Sequence, residues 1–319
     1  MMHSNKLSNK PKPKALTLAG NTIQFEAIGT IWLITIDQTI SKTRLTGLSD
    51  IIKKRIDQFD RDYSRFRSDS LVTSISKREG NYRLPEDAEP LLDLYEQLYD
   101  ISDGLVNPLI GKLISEAGYD SNYSFRKSDL NPVPAWDDAL DYKFPVLITK
   151  QPVLLDFGAA GKGYLVDLVA ALIKENGIEN FCINAGGDIL QSQTSEKVTE
   201  IGLEHPINLD EVVGIARLNN RSLCGSAGNR RTWDNFHHII NPKTKSSPNH
   251  LLASWVVADS TLLADGLATA LFFIQAAKLR KYYTFEYVLI RHDLSLDYSD
   301  NFPADFFTNE GEVDDLSSH

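Results

Sequence analysis

The 319-residue chain holds only two cysteines, Cys182 and Cys224. They are far apart and fit no metal-ligand spacing, so they are expected to be buried, reduced thiols rather than a disulfide framework. No apolar run approaches the ~18 residues of a membrane-spanning helix. Positive charge is also scarce: 33 Lys and Arg stand against 43 Asp and Glu, a formal net charge of −10. That balance argues against sequence-independent nucleic-acid binding, which relies on a basic surface. It also means that a phosphorylated ligand needs local compensation, from a metal ion or from backbone dipoles. There is no internal repeat and no low-complexity domain. The first twenty residues, MMHSNKLSNKPKPKALTLAG, are polar and lysine-rich, with too short an apolar part for a secretory signal. Residues 1–20 are read as a flexible tail of a cytoplasmic protein, and 309–319, NEGEVDDLSSH, as an acidic disordered tail. The composition, 42% hydrophobic and 24% charged, is that of a globular chain with a real core.

Two nucleotide-enzyme signatures are missing at the place where they are most nearly met, LLDFGAAGKGYLVD (154–167). A Walker A loop is G-x-x-x-x-G-K-[ST]. Here Asp156 stands at the upstream glycine and Gly163 at the Ser/Thr that would meet the metal. A kinase needs H-R-D upstream of D-F-G, and no HRD occurs in the chain. What remains is Gly158, Gly161 and Gly163 in front of an apolar helical face made by Leu165, Leu168, Val169, Leu172 and Ile173. Asn176-Gly177 closes that helix. A glycine turn at a helix N-terminus suits a phosphate. It is equally a tight strand-to-helix connection that binds nothing.

Elsewhere, 21–37 reads as two strands about Gly29-Thr30, 44–63 as an amphipathic helix, and 86–102 as another, stopped by Asp103-Gly104. The stretch YSRFRSDSLVTSIS reads as a polar connection, and 121–147 as a polar, proline-containing loop region. Strands are expected at 152–156, 179–184, 199–204, 212–218, 254–258 and 286–291, with a helix over 261–276. Strands and helices mix without a regular βαβ rhythm, which points to an α+β fold.

Three further islands could carry chemistry. NAGGD (184–188) ends a strand on Gly186-Gly187, which by itself is a hairpin turn. NFHHIINP (235–242) offers His237 and His238; an imidazole is the default base near neutrality, or a histidine satisfied by hydrogen bonds. In ADGLAT (264–269), Asp265 and Thr269 lie four apart on a predicted helix and share a face. Carboxylate and hydroxyl are the hard oxygen ligands magnesium takes, or an ordinary polar pair.

Taken in order, these islands resemble one family, the ApbE-type flavin transferases (FAD:protein FMN transferases). IGTIWLI resembles its opening M-G-T strand, with Ile28 at the methionine, and YSRFRSDSLVTSIS its S-x-F/Y…S segment. SDGLVNPLIGKLISEAGYD resembles G-x-F-D-P-T-x-G-P-L…W-G-F, and LLDFGAAGKGYLVD resembles L-D-x-G-x-x-A-K-G-Y-x-x-D. INAGGDI, HIINPKT and LADGLATALF complete the series, which runs from about Phe25 to about Phe307. Asn107 and Asn241 stand where the family has aspartate, KTKSS replaces R-T-G, and LCGSAGNRRTW matches T-S-G-x-Y-x-R loosely.

The resemblance implies an α+β domain over 21–308, with a mixed, largely antiparallel sheet core and flanking helices. FAD would lie in a cleft between the sheet and the segment around 60–130. Magnesium would be held by the Gly161 carbonyl, Asp265 and Thr269. Ile28, Leu105, Val106, Asn107, Gly158, Lys162, Tyr164 and Ile239 match positions that bind the flavin nucleotide. His238 would be the base that deprotonates a Thr or Ser hydroxyl of an acceptor protein, so that FMN is transferred and AMP leaves. Two alternatives stay open at this stage: a FAD pyrophosphatase giving FMN and AMP, and a flavin-binding protein without turnover.

Overall fold

A computed structural model describes residues 10–11, 21–229 and 232–307. The tails expected over 1–20 and 309–319 lie outside the described residues, apart from Lys10–Pro11, which pair with Val212 and Glu211.

The centre is an eight-stranded sheet. Its strands run, edge to edge, Leu296–Tyr298, Glu286–Arg291, Leu251–Ala258, Ser222–Ala227, Asp188–Ser192, Phe181–Ala185, Thr30–Ile36 and Thr22–Ala27. Every strand pairing among the described residues is antiparallel. The helices Lys42–Tyr63, Gly161–Glu175 and Thr261–Ala270 belong with one face, and a second sheet of Thr199–Glu204, Glu211–Leu218 and Ala304–Phe306 packs on the other. Side chains alternate across a strand, and this sequence fills both sides accordingly. Cys224 and the Val256 opposite it join the helix-side core; Leu223 and Val257, one residue along, join the other. Cys182 and Cys224 are free thiols, and burial pushes the Cys182 thiol up to about 12.

The α+β expectation holds, with local corrections. Residues 152–156 form no strand: Val153, Leu155 and Phe157 are buried alternately, but they pack beside helices and no ladder forms. Their alternation reports burial, not pairing. The helix expected over 261–276 ends at Ala270, where the Phe272 and Phe273 N–H groups turn back to the carbonyls of Thr269 and Ala270, three residues earlier. The connection after Tyr63 contains a short helix, Leu71–Ile75, capped by Ser70. Within 121–147, residues 136–139 form a helical turn and 140–143 pair with Val146–Thr149. No helix among the described residues is long and apolar enough to cross a membrane.

Candidate active site

Two helices frame the site, and each completes the other. The helix Gly161–Glu175 has no side-chain cap of its own. Asp265, from the middle of Thr261–Ala270, accepts the Gly163 N–H at 2.8 Å. In return Asp167 accepts the N–H groups of Thr261 and Leu262 at 2.9 and 2.7 Å. Carboxylates at helix N-termini satisfy orphan donors and the positive end of the dipole. Gly163 makes this approach possible: a Cβ there would lie 2.2 Å from the Thr261 carbonyl oxygen.

In front of these helices lie two cavities that share Gly158, His238 and Thr269. The smaller, about 120 Å³, is aromatic and apolar, with Phe66, Tyr119, Leu105, Val106 and Ile239 in its wall. The larger, about 750 Å³, is polar at its base, where Lys162 and Asp265 meet the hairpin at Gly186-Gly187. Both hairpin glycines have positive φ, and a Cβ at Gly186 would lie 1.9 Å from Thr30 Oγ1. The hairpin is therefore more than a turn; it is a place where backbone must pass close to the neighbouring strand.

Most of the expected residues come together here. Leu105, Val106, Asn107 and Ile239 line the smaller cavity, Lys162 and Asp265 the larger, and Gly158, His238 and Thr269 both. Asn107 caps the turn that follows it, accepting the Leu109 N–H at 2.9 Å, and its amide donates to the Pro134 carbonyl at 3.3 Å. Thr269 Oγ1 lies 3.2 Å from the Ser226 hydroxyl. Of the adjacent histidines, His238 faces the cleft. His237 donates from Nε2 to the Pro248 carbonyl at 2.9 Å and accepts the Ile239 N–H at Nδ1.

Three expected residues stand elsewhere. The Tyr164 ring packs on Phe59, and its hydroxyl donates to the Asp87 carbonyl at 2.6 Å. At ~100° per residue, positions 162 and 164 point to opposite sides of the helix, so Lys162 takes the cleft and Tyr164 the core. Gly161 opens the helix, donates to the Phe157 carbonyl at 2.7 Å, and lines neither cavity. Ile28 sits at the tip of the first hairpin with φ 44°, an unusual state for a β-branched residue; its neighbours Gly29 and Thr30 line the larger cavity.

Four participants lie outside the expected set of site residues, although Asp156, Asp167 and Asp188 stand in the motifs above and Arg65 in YSRFRSDSLVTSIS. Arg65 is almost fully buried, pairs with Asp156, and lies under the Phe66 ring at 4.1 Å. Asp156 in turn accepts the Gly158 N–H at 2.8 Å, which shapes the glycine turn. Asp188 pairs with Lys162 at 2.5 Å. Asp167 is the reciprocal cap. Each acts on a partner far along the chain, so only the folded molecule reveals the pairing.

Charge in the site is concentrated. Burial drives the Asp265 carboxyl well above the usual range, Asp188 adds to this, and Lys162 and the Gly163 N–H oppose it. Burial alone would lower the Lys162 ammonium, but Asp188 and Asp265 outweigh it and hold it above the ordinary lysine value. A buried carboxyl raised in this way is short of positive charge. The Asp265 carboxylate and Thr269 hydroxyl on one cleft wall suit a hard cation, and so they fit magnesium. Among the described residues no group of three His, Cys, Asp or Glu forms a complete metal cage, so such an ion would take further oxygens from its ligand or from water.

A sequence model of the ApbE family matches residues 28–288. A curated relative, the FAD:protein FMN transferase of Buchnera aphidicola, is 23% identical over 295 residues, covering 86% of this chain and 84% of that protein. Among solved structures, the flavin transferase ApbE of Vibrio cholerae superposes with a TM-score of 0.73 at 19% identity, over 87% of this chain and 96% of that one. The ApbE protein of Thermotoga maritima gives a TM-score of 0.75 at 18% identity, over 88% and 96%. These two likenesses establish the fold.

Proposed function

Because the chain belongs to the ApbE family, we propose that it is a FAD:protein FMN transferase that moves FMN from FAD to a Thr or Ser hydroxyl of an acceptor protein and releases AMP. The observation that carries this reading is the junction of the two cavities. An apolar, aromatic pocket opens into a polar one at His238 and Thr269, which matches a flavin ring joined to a diphosphate.

In this reading the isoalloxazine ring lies against Phe66 and Tyr119, with Leu105–Asn107 and Ile239 at its edges. The diphosphate lies over the glycine turn, near Gly158 and Lys162. Asp265 and Thr269 would hold a magnesium ion, whose charge offsets that of the diphosphate. His238 takes the proton from the acceptor hydroxyl. The hydroxyl oxygen bonds to the phosphorus next to riboflavin, the bond from that phosphorus to the AMP oxygen breaks, and AMP departs. Such a transfer calls for positioning and charge neutralisation rather than covalent chemistry by the protein.

The departures at Asn107 and Asn241 do not favour a binding protein without turnover. Asn241 Oδ1 accepts the Lys243 and Thr244 N–H groups, and Asn107 caps a turn. Both amides do structural work that needs no charge.

The test is AMP release from FAD, with magnesium or EDTA, with and without a Thr-containing acceptor domain. Magnesium-dependent AMP that rises with acceptor, with FMN mass added to the acceptor, is the expected result. AMP independent of acceptor would mean a pyrophosphatase, and bound FAD with no AMP a carrier.

A further inference from the structure

Asp188 is 1% exposed. Neither of its carboxylate oxygens meets a hydrogen-bond donor in good geometry, so its compensation is the Lys162 ammonium 2.5 Å from Oδ2. An ionised carboxylate buried without a partner is costly, and the pair is therefore mutually dependent. Lys162 Nζ also donates to the Ala185 carbonyl at 3.0 Å. Ala185 and Asp188 are direct partners across the hairpin. The end of one hairpin thus grips the ammonium with a carbonyl and a carboxylate. Asp265 lines the same cavity as Lys162 and is the second carboxylate acting on its ammonium. Two carboxylates compete for one cation, and the geometry gives it to Asp188.

We propose that Asp188 is a positioning residue: it anchors the Lys162 ammonium against the hairpin and keeps it from pairing with Asp265, so that the Asp265 carboxylate stays open to a divalent cation. This rests on the magnesium reading of Asp265. Asp265 Oδ2 already accepts the Gly163 N–H, and a bond from Lys162 to the other oxygen would put an ammonium where the cation would sit. Once Asp188 is neutral, Asp265 is the remaining carboxylate that can receive the ammonium.

The test measures Mn2+ affinity of the full-length protein by electron paramagnetic resonance, with FAD at a concentration that saturates each variant, so that a weaker hold on the diphosphate by Lys162→Met does not enter; Mn2+ shares magnesium's preference for carboxylate and water. Asp188→Asn is expected to weaken Mn2+ binding by at least about 10-fold, the scale of lost outer partners of a metal ligand. The double variant Asp188→Asn, Lys162→Met removes the competing ammonium and is expected to return to within about 3-fold of wild type, as coupled neighbours do. A merely structural role for Asp188 would give no such rescue. An unchanged single variant, or a double variant as weak as the single, overturns the proposal. If the single variant does not fold, the double decides alone: wild-type-like affinity supports the proposal and a 10-fold loss overturns it. If wild-type protein binds no Mn2+, the magnesium reading itself falls; if it binds and the variants fail the expected pattern, only the role of Asp188 falls.

Discussion

The Gly163 N–H donates to Asp265 Oδ2 across 2.8 Å, joining the glycine turn to the acidic helix 102 residues later. A methyl group at position 163 would lie 2.2 Å from the Thr261 carbonyl oxygen and 2.6 Å from Asp265 Cβ. Gly163→Ala must therefore push the two helices apart. Overpacking of this kind costs about 1–3 kcal/mol. The expected result is a lower melting temperature and a loss of AMP release from FAD. Unchanged values of both would mean that the helices separate without consequence for the site.

The two adjacent histidines give a second prediction. His238 lines both cavities, whereas His237 is turned toward Pro248. His238→Ala is expected to lower the transfer rate by about 10²–10⁴, the usual contribution of a general base. His237→Gln is expected to cost far less. Single-turnover rates of flavin transfer for the two variants check this, and a reversed order would reassign the base.

Three imidazoles should withdraw stability in mild acid, against the raised Asp265 and Asp167 carboxyls, which act in the opposite direction. Burial holds His205, His237 and His250 below the ordinary histidine value. Below about pH 6.5 the unfolded chain takes up protons that these folded imidazoles refuse, so their contribution is present above that pH and is lost as pH drops toward the lowered folded values. Urea unfolding at pH 5, 6 and 7 should show it. His237→Gln should flatten the profile by one residue's share, at most about 1.4 kcal/mol per pH unit. An identical slope in the variant would remove His237 from the account.

The two asparagines at aspartate positions are expected to behave differently when reverted. Asn241→Asp keeps an acceptor for the Lys243 and Thr244 N–H groups and should leave stability within about 0.5 kcal/mol, as mild surface changes do. Asn107→Asp replaces the amide that donates to the Pro134 carbonyl with a second acceptor. Loss of that bond beside an unsatisfied carbonyl should cost about 1–3 kcal/mol. Denaturant midpoints of the two proteins provide the comparison.

These residues also mark what could be read along the chain. The helix Lys42–Tyr63 follows its buried face, Leu48, Ile52, Ile56, Phe59 and Tyr63, at helical spacing, and Asp265 with Thr269 is an i, i+4 pair on a real helix. Those signals are local, and so are legible. The alternation at 153–157 is just as regular, yet it packs beside helices, because period two reports which side chains are buried and not what the backbone pairs with. Side-chain chemistry alone does not separate His237 from His238; the carbonyl of Pro248, eleven residues beyond His237, does that. Asp167 and Asp188 stand in LLDFGAAGKGYLVD and NAGGD, but no motif names the distant partners that give them and Arg65 their roles.

The exchange of caps between Asp167 and Asp265 has a bearing on how the site comes into being. Neither helix has its first turn finished until the other is in place, and the bonds that finish them span 94 to 102 residues. During synthesis the glycine turn leaves the ribosome long before the segment that completes it. A chain halted before residue 260 would hold that turn with its Gly163 N–H unclaimed, because the Asp265 carboxylate that accepts it has yet to be made. The acidic end of the site is therefore completed only when residues 261–270 are in place, after the segments that supply its aromatic wall.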